Sequence, residues 1–270
     1  MVSINPQNAW TYLLEDPCSL YVQSNINPER LQGDGWGIGF YTNGTAHVIK
    51  SKNPIYEEHE KFASSVHGLS SNIMLVHIRR GSNPRGLPRE KLISVVNSQP
   101  FKYNNFLFAH NGTINIPDEV EEQLGEWKEM IEGVNDSELY FWFIVKEVAG
   151  GTEFREAVKI FEETLEELWQ KASARHSNKN RPYAGLNAIF SDGERLYAYC
   201  RYHEKDSTAK SLCFSDQPAF QMSYCFTPET LIVSSEKTNR KDNWKPLKNR
   251  HLLTGEIKDG KVNITLENVT

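Results

Sequence analysis

The segment from Phe106 to Ile114 holds the residues best suited to chemistry. A mostly apolar run leads into Asn111 and Gly112, a pattern that predicts a buried strand ending in a polar turn. The Asn111 amide and the Gly112 backbone N–H could both donate hydrogen bonds to one oxygen, which is how enzymes stabilise an oxyanion formed from a carbonyl. Taken alone, an Asn-Gly pair is more often an ordinary hairpin turn. Other motifs must therefore decide its meaning.

Four further motifs accompany this segment: GDGWGIGF at 33–40, HIRRGS at 77–82, NSQPF at 97–101 and NDSE at 135–138. In this order, the series resembles the class II glutamine amidotransferases, N-terminal-nucleophile hydrolases that take ammonia from glutamine. It is most similar to the small stand-alone members that cleave γ-glutamyl bonds in ergothioneine synthesis and glutathione breakdown. A further match at 233–237 (VSSEK), followed by Trp244 and Pro246, extends the resemblance nearly to the end of the chain.

The resemblance implies an α+β fold, a four-layer αββα sandwich of two mainly antiparallel sheets. The chain pattern agrees with it, because helical periods lie in the middle of the sequence and short alternating strands lie at both ends. The clearest helical period runs over 152–174, and strands are predicted at 184–190, 196–200, 221–226 and 231–234. We find no repeat or linker, so the sequence predicts a single domain over 1–270.

Glutamine presents two charged groups that the protein must bind. Its α-carboxylate requires a planar cation, which Arg79 would supply at the end of the buried run 73–78, although Arg79 could instead pair with a structural Glu. Asp136 matches the family residue that binds the α-ammonium, and it could also be the N-cap of the following helix. The family match favours binding for Arg79, whereas both roles of Asp136 can hold together.

Two smaller residues complete the implied pocket. Ser82 corresponds to a pocket-lining Ser or Thr in relatives, and the family strand that contains Gly37 borders the substrate. The alternatives are a solvated loop serine and a glycine that makes a strand bulge. His77 and His110 are expected to be hydrogen-bonded core histidines rather than bases. The sequence predicts no cofactor and no metal.

The nucleophile that the resemblance implies is not visible. In the family a cysteine follows the initiator methionine, and its α-amine is the base. Here Val2 follows Met1, and residues 3–7 resemble the segment after the family's first strand. We therefore expect that strand to be lacking, with either a strand-wide gap near Asn111 or residues 1–5 drawn partly into it.

Three explanations of the missing nucleophile compete: an internal methionine start, a relative that binds γ-glutamyl compounds without cleaving them, or another nucleophile. The first is favoured. Cys18 is the nearest thiol, but it is expected in the middle of a helix as a buried packing residue. All four cysteines are expected to be free, since they show no CxxC pairing and a low density.

Composition limits the partners. The net charge of −5 argues against a nucleic-acid surface, and no apolar run is long enough to cross a bilayer. The N-terminus has no signal-peptide pattern, so a cytoplasmic location is expected. The expected ligand is glutamine or a γ-glutamyl small molecule. No residues are left over for a synthetase domain, so either water or a separate ammonia-accepting protein would receive the product.

Overall fold

A computed structural model describes residues 1–204 and 209–270, in which thirteen strands form two sheets. The first sheet has the order β11-β9-β10-β1-β4-β2-β3 and the second the order β13-β12-β8-β7-β6-β5, with all pairs antiparallel. In chain order, the strands are β1 (Val2–Gln7), β2 (Trp36–Thr42), β3 (Thr45–Ser51), β4 (Ser71–Ile78), β5 (Phe101–Tyr103), β6 (Phe106–Ile114), β7 (Tyr183–Ser191), β8 (Arg195–Cys200), β9 (Ser223–Phe226), β10 (Thr230–Ser234), β11 (Lys245–Pro246), β12 (His251–Lys258) and β13 (Lys261–Asn268).

Helices cover the outer faces of both sheets. The α-helices are α1 (Leu20–Gln23), α2 (His59–His67), α3 (Arg89–Leu92), α4 (Pro117–Glu122), α5 (Asp136–Ala149) and α6 (Phe154–Ala172). One π-helical turn spans Thr11–Glu15, and 3₁₀ turns span Pro28–Arg30, Ile55–Glu57, Gly125–Met130 and Ser173–Arg175. None of the helices in the described residues has the length and apolarity needed to cross a membrane.

Three apolar layers hold the sandwich together. The middle layer lies between the sheets and contains Leu75, Leu107 and Leu253, whereas α5 and α6 pack on the outer face of the second sheet. There Tyr140 stacks on Phe161 with ring centroids 4.1 Å apart. The third layer joins α2 and the N-terminal turns to the outer face of the first sheet. The predicted αββα fold is confirmed.

The predicted turn at Asn111 is wrong. Strand β6 continues through Asn111 and Gly112, which face Asn187 and Leu186 of β7. Pairing with β7, some 75 residues away in the chain, overrides the local preference of Asn-Gly for a turn. The sequence also did not predict the hairpin of β12 and β13, whose eight residue pairs close one edge of the second sheet.

Strand β1 lies between β4 and β10 but pairs with only part of each. Val2 faces Ile73 on one side and Leu231 on the other, and the Met74 N–H donates to the Met1 carbonyl. Beyond Met1, residues of β4 and β10 line a channel of about 80 Å³ together with Met1.

The prediction of four free thiols is wrong for two of them. Cys18 and Cys213, separated by 195 residues in sequence, form a disulfide, while Cys200 and Cys225 are free and buried. Cys18 also lies outside any helix, in the bend between the Thr11–Glu15 turn and α1. A spacing this long carries no local sequence signature, so only the fold brings the two residues together.

We expect loss of this disulfide to lower stability, because the bond closes a very long loop in the unfolded chain. Replacing both Cys18 and Cys213 by Ser should cost about 2–4 kcal/mol of unfolding free energy. Thermal or urea unfolding with and without dithiothreitol measures the effect. Reductant should lower the melting temperature of the wild type to that of the double variant and leave the variant unchanged. A wild type that does not respond to reductant would contradict the bond's contribution.

Candidate active site

A cavity of about 580 Å³ opens between the two sheets. Its walls come from the end of β4 and the loop after it, from β6, from the start of α5, from the segment 20–32, and from the chain on both sides of β9 and β10. Of the six residues predicted to take part in catalysis or binding, the structure brings four into this lining: Arg79, Ser82, Asn111 and Gly112.

The edge of β6 presents an unused hydrogen-bond donor to the cavity. Backbone N–H groups of alternate strand residues point to the same side. On this side the His110 N–H donates to Gln99 Oε1 (2.6 Å) and the Ile114 N–H donates to Asp136 Oδ2 (2.7 Å). The Gly112 N–H lies between them and points away from β7. It is therefore free to donate to a ligand oxygen beside the exposed Asn111 side chain.

Only glycine fits at position 112. A Cβ added there would lie 1.9 Å from the carbonyl oxygen of Gly185 on β7 and 2.6 Å from His110 Nε2. The close approach of the two strands thus requires a residue without a side chain. The absence of a side chain at this position also leaves the cavity side of Gly112 open to a ligand.

The Arg79 guanidinium is held at the other side of the cavity. Arg79 is 2% exposed, and its Nη1 donates to the carbonyl oxygens of Leu92 (2.9 Å) and Asp34 (3.3 Å). Asp34 also accepts from the Gly81 N–H (2.7 Å), which fixes the loop that follows β4. Burial lowers the pKa of Arg79, while the charges of Asp34 and Asp136 oppose that shift. Both of these bonds use Nη1, so Nη2 and Nε remain to meet a carboxylate.

Asp136 lies behind the cavity surface and is not part of its lining. Its carboxylate is 1% exposed and accepts from Ser82 Oγ (2.6 Å) and from the Ile114 N–H. The helix α5 is capped by Asn135, whose side chain accepts from the Ser137 N–H, so the N-cap alternative for Asp136 is wrong. Ser82 therefore connects the buried carboxylate with the cavity.

The two histidines beside the donors are neutral. His110 is bonded at both ring nitrogens, to Ser137 Oγ (2.9 Å) and to the Gly185 carbonyl (3.0 Å), as expected for a core histidine. Burial lowers the pKa of His77 to about 3, helped by the positive charge of Arg79. Within the described chain His77 Nδ1 is buried without a partner, so the expectation of full hydrogen bonding fails for His77.

Gly37 is not in the cavity lining. It pairs with His77 and Lys50, and a Cβ there would lie 2.3 Å from the carbonyl oxygen of Gln99. Gly37 therefore lets the 97–101 segment pass close to the sheet. That segment in turn places Gln99 against His110.

In the described residues no thiol lines the cavity. The nearest chain terminus is Met1, whose buried α-amine donates to the Met74 carbonyl at 2.8 Å, and burial lowers its pKa to about 5. The channel beyond Met1 shares Leu20 and Val76 with the cavity, so the two spaces adjoin.

Sequence reasoning did not identify several residues that build the cavity. Asp34 lies inside the 33–40 motif and Glu236 inside the 233–237 motif, so a systematic look at acidic residues in the motifs would have found both. Arg30 and Phe220 lie in segments without a recognisable pattern. Only the fold brings them to the cavity.

Comparison with known proteins identifies the family. The sequence profile described as "Glutamine amidotransferases class-II" matches residues 23–269. The gamma-glutamyl-hercynylcysteine sulfoxide hydrolase of Mycolicibacterium smegmatis is 25% identical over 265 residues, which cover 96% of this chain and 95% of the relative. An uncharacterized protein of Methanocaldococcus jannaschii is 31% identical over 175 residues, which cover 63% of this chain and only 43% of that relative.

Solved structures share the fold at low identity. A glutamine aminotransferase class-II domain protein from Silicibacter pomeroyi matches with a TM-score of 0.57 and 19% identity, over 85% of this chain and 90% of that one. The glutamine phosphoribosylpyrophosphate amidotransferase from B. subtilis matches with a TM-score of 0.58 and 14% identity, over 93% of this chain and 46% of that one. These similarities concern the fold alone.

We expect Gly112→Ala to destabilise the protein, because the new methyl group would clash with the backbone of β7. That backbone cannot move without displacing the rest of its strand. Overpacking of this kind costs about 1–3 kcal/mol. Urea unfolding measures the change. Gly68→Ala is the matched control, since its Cβ would have no heavy atom closer than 3.7 Å. Equal stability of the two variants would contradict the close β6–β7 approach.

His77 should make the protein sensitive to acid. Its pKa is about 3 in the folded protein and near 6.5 in the unfolded chain, so the unfolded state binds the extra proton first. The contribution of this group to the free energy of unfolding is therefore fully present above pH 6.5. It falls by about 1.4 kcal/mol per pH unit as the pH drops toward 3. His77→Gln should flatten that part of a pH series of urea unfolding curves. His67→Gln, at an exposed position, should leave it unchanged.

Proposed function

The chain belongs to the class II glutamine amidotransferases, and from that premise we propose that it is an amidohydrolase acting on glutamine or a γ-glutamyl amide. One observation carries the proposal. The unused Gly112 N–H and the Asn111 amide lie in the same cavity as the buried guanidinium of Arg79. The cavity thus holds two donors that can bind an oxyanion and a cation that can bind a carboxylate. A γ-glutamyl substrate requires both.

Arg79 and Asp136 bind the glutamyl end in this proposal. The Nη2 and Nε groups of Arg79 meet the α-carboxylate in a planar pair of hydrogen bonds. The α-ammonium lies near Ser82, whose hydroxyl bonds the Asp136 carboxylate at 2.6 Å. The buried negative charge of Asp136 then favours a cation at that position.

The reaction follows from this placement. A thiolate attacks the γ-carbonyl carbon, and the carbonyl oxygen becomes an oxyanion between Asn111 Nδ2 and the Gly112 N–H. The C–N bond then breaks, and the amine leaves with a proton from the group that deprotonated the thiol. Water then attacks the carbonyl of the resulting thioester, and the same two donors stabilise the oxyanion that forms. Breaking of the C–S bond releases glutamate and restores the thiol.

We propose that the thiol belongs to a cysteine on a segment that precedes Met1 and lies between β4 and β10. A strand that continues β1 in this direction would run along β4 from Met74 toward Arg79, because β1 and β4 are antiparallel. The channel between β4 and β10 adjoins the cavity there. The cysteine α-amine would serve as the base, since an amine with a pKa near 8 is suited to deprotonating a thiol.

A second function has one observation in its favour. Since no thiol of the described residues lines the cavity, the protein made from Met1 could bind γ-glutamyl compounds without cleaving them. It would then act as a γ-glutamyl-binding module or regulate a partner. The relative from M. smegmatis is named as a hydrolase, which favours the catalytic function.

The reading frame upstream of Met1 provides the first test. If it encodes Met-Cys followed by an apolar segment, protein made from that start should release glutamate from glutamine or a γ-glutamyl amide, measured by coupled glutamate and ammonia assays. A stop codon directly upstream, or turnover by protein that begins at Met1, would overturn the nucleophile assignment. The ammonia assay with candidate acceptor proteins added also shows whether water or a partner takes the product.

The oxyanion assignment has its own test in the active form. Asn111→Ala should lower kcat by about 10²–10³-fold, as for loss of one oxyanion donor. Asn263→Ala, at an exposed position on β13, is the matched control and should retain full turnover. Unchanged turnover in the Asn111 variant would remove the oxyanion role.

A further inference from the structure

Three residues that can bind a soft metal ion meet beside the cavity. They are Cys18, Cys213 and Glu236, whose sulfur and carboxylate oxygen atoms all lie within 4.8 Å of one another. Cys18 lies in the bend before α1, Cys213 in the segment 209–221, and Glu236 just after β10. Because three distant parts of the chain supply these residues, only the fold creates this thiol–carboxylate cluster.

Hydrogen bonds fix the backbone on both sides of the cluster. The Cys18 N–H donates to the Thr238 carbonyl at 2.9 Å. On the facing segment, the Leu212 N–H donates to both carboxylate oxygens of Glu236, at 2.7 and 2.8 Å. That contact holds the residue before Cys213 against the carboxylate. The three side chains are therefore held in place in advance, which lowers the cost of ordering them around a ligand.

The surroundings of the cluster suit a bound cation. Cys18 is 1% and Glu236 4% exposed, whereas Cys213 is partly buried. Glu236 also lines the cavity, which gives an ion a path from solvent. Two thiolates and one carboxylate around a divalent cation leave one excess negative charge. Burial raises the pKa of Glu236, and the nearby charge of Arg30 opposes that shift, so Arg30 also balances the excess charge.

We propose that the thiol–carboxylate cluster, once reduced, is a zinc site that takes the place of the disulfide. Thiolates combined with a carboxylate suit Zn²⁺, whereas Mg²⁺ and Ca²⁺ take oxygen ligands. Zinc binds sulfur at about 2.3 Å and carboxylate oxygen at about 2.0–2.2 Å, so its ligand atoms lie within about 4.6 Å of one another. The cluster has nearly this spacing. Water completes the tetrahedron, and the site does not depend on the proposed amidohydrolase function.

The exchange of the covalent bond for the ion is chemically balanced. A dithiol reductant breaks the S–S bond between Cys18 and Cys213, and is itself oxidised to a disulfide while the two sulfurs gain two electrons and two protons. Zn²⁺ then displaces both thiol protons into solvent and forms two Zn–S bonds and one Zn–O bond. Because the same sulfurs make either the bond or the metal contacts, oxidation releases the ion. Zinc thus keeps Cys213 beside Cys18 where the disulfide is reduced.

Metal binding to the chain as it begins at Met1 tests the site without requiring turnover. The protein is reduced with dithiothreitol, freed of reductant and metal under nitrogen, and dialysed against Zn²⁺. We expect one zinc ion per reduced chain, and none at this site in the oxidised chain. Co²⁺ as a coloured probe should give the charge-transfer absorption of a metal thiolate. Failure of the reduced chain to bind zinc, or equal binding by the oxidised chain, would overturn the site.

Variants of the two cysteines show whether the bound ion is at this cluster. Cys18→Ser combined with Cys213→Ser should lose the zinc and the cobalt–thiolate absorption, with circular dichroism confirming that the chain is folded. Cys200→Ala combined with Cys225→Ala removes the two buried free thiols and is the matched control. This control should bind zinc as the wild type does. Zinc binding that survives in the Cys18 and Cys213 variant would contradict the proposal.

Glu236→Gln tests the third ligand in a variant that is expected to fold. Its amide oxygen can still accept from the Leu212 N–H, but it lacks the charge of a carboxylate ligand. Zinc affinity should fall by at least the roughly 10–100-fold that loss of an outer-shell partner costs. Formation of the Cys18–Cys213 disulfide on oxidation should be unchanged, which shows that the cysteines are still in place. Unchanged zinc affinity would exclude Glu236 as a ligand and overturn the three-residue site.

Discussion

The buried carboxylate of Asp136 is the contact on which the cavity depends. It accepts one hydrogen bond from Ser82, on the loop after β4, and one from the Ile114 backbone at the end of β6. Ser82 follows a strand of the first sheet, Ile114 ends a strand of the second, and Asp136 itself begins α5. An ionised carboxylate removed from water is costly unless such donors surround it. Because both donors must stay at the Asp136 carboxylate, the two walls of the cavity are fixed relative to each other.

The bond from the Ile114 N–H to Asp136 also helps to determine which backbone donor of β6 is left for a ligand. Of the last three N–H groups on the side of the strand away from β7, the outer two are taken by Gln99 and Asp136. The middle one, on Gly112, cannot turn toward β7 because strand geometry fixes its direction. Since a backbone N–H without a partner is costly when buried, the position is favourable only where a ligand or water can reach it. Secondary structure thus leaves at the cavity the N–H that we propose as an oxyanion donor, with no need of a special loop.

The histidines of the cavity are neutral because they are buried, whereas its arginines stay charged. It lowers the pKa values of His77 and His110, which keeps both rings neutral beside the donors. The guanidiniums of Arg79 and Arg30 remain charged because an Arg side chain does not lose its proton in proteins. The positive charge of these cavity residues is therefore constant with pH.

The sequence by itself determined the elements and motifs that depend on neighbouring residues. Period and composition predicted α6 and the strands that became β7 and β10, and the motif order predicted the αββα fold with Arg79 directly after β4. The helix and the strands follow from local hydrophobic patterns, which the sequence displays directly, whereas the fold was implied by the family resemblance of the motifs.

The tertiary structure decided whatever required distant partners. Asn111 lies in a strand because β7 pairs with it, and Cys18 forms a disulfide because the 209–221 segment folds back to it. Asn135 rather than Asp136 caps α5, since the Asp136 carboxylate bonds to Ser82 and Ile114 from other elements. Arg30 reached the cavity for the same reason. The free energy of a contact between residues far apart in the chain depends on the whole fold, and no local pattern records it.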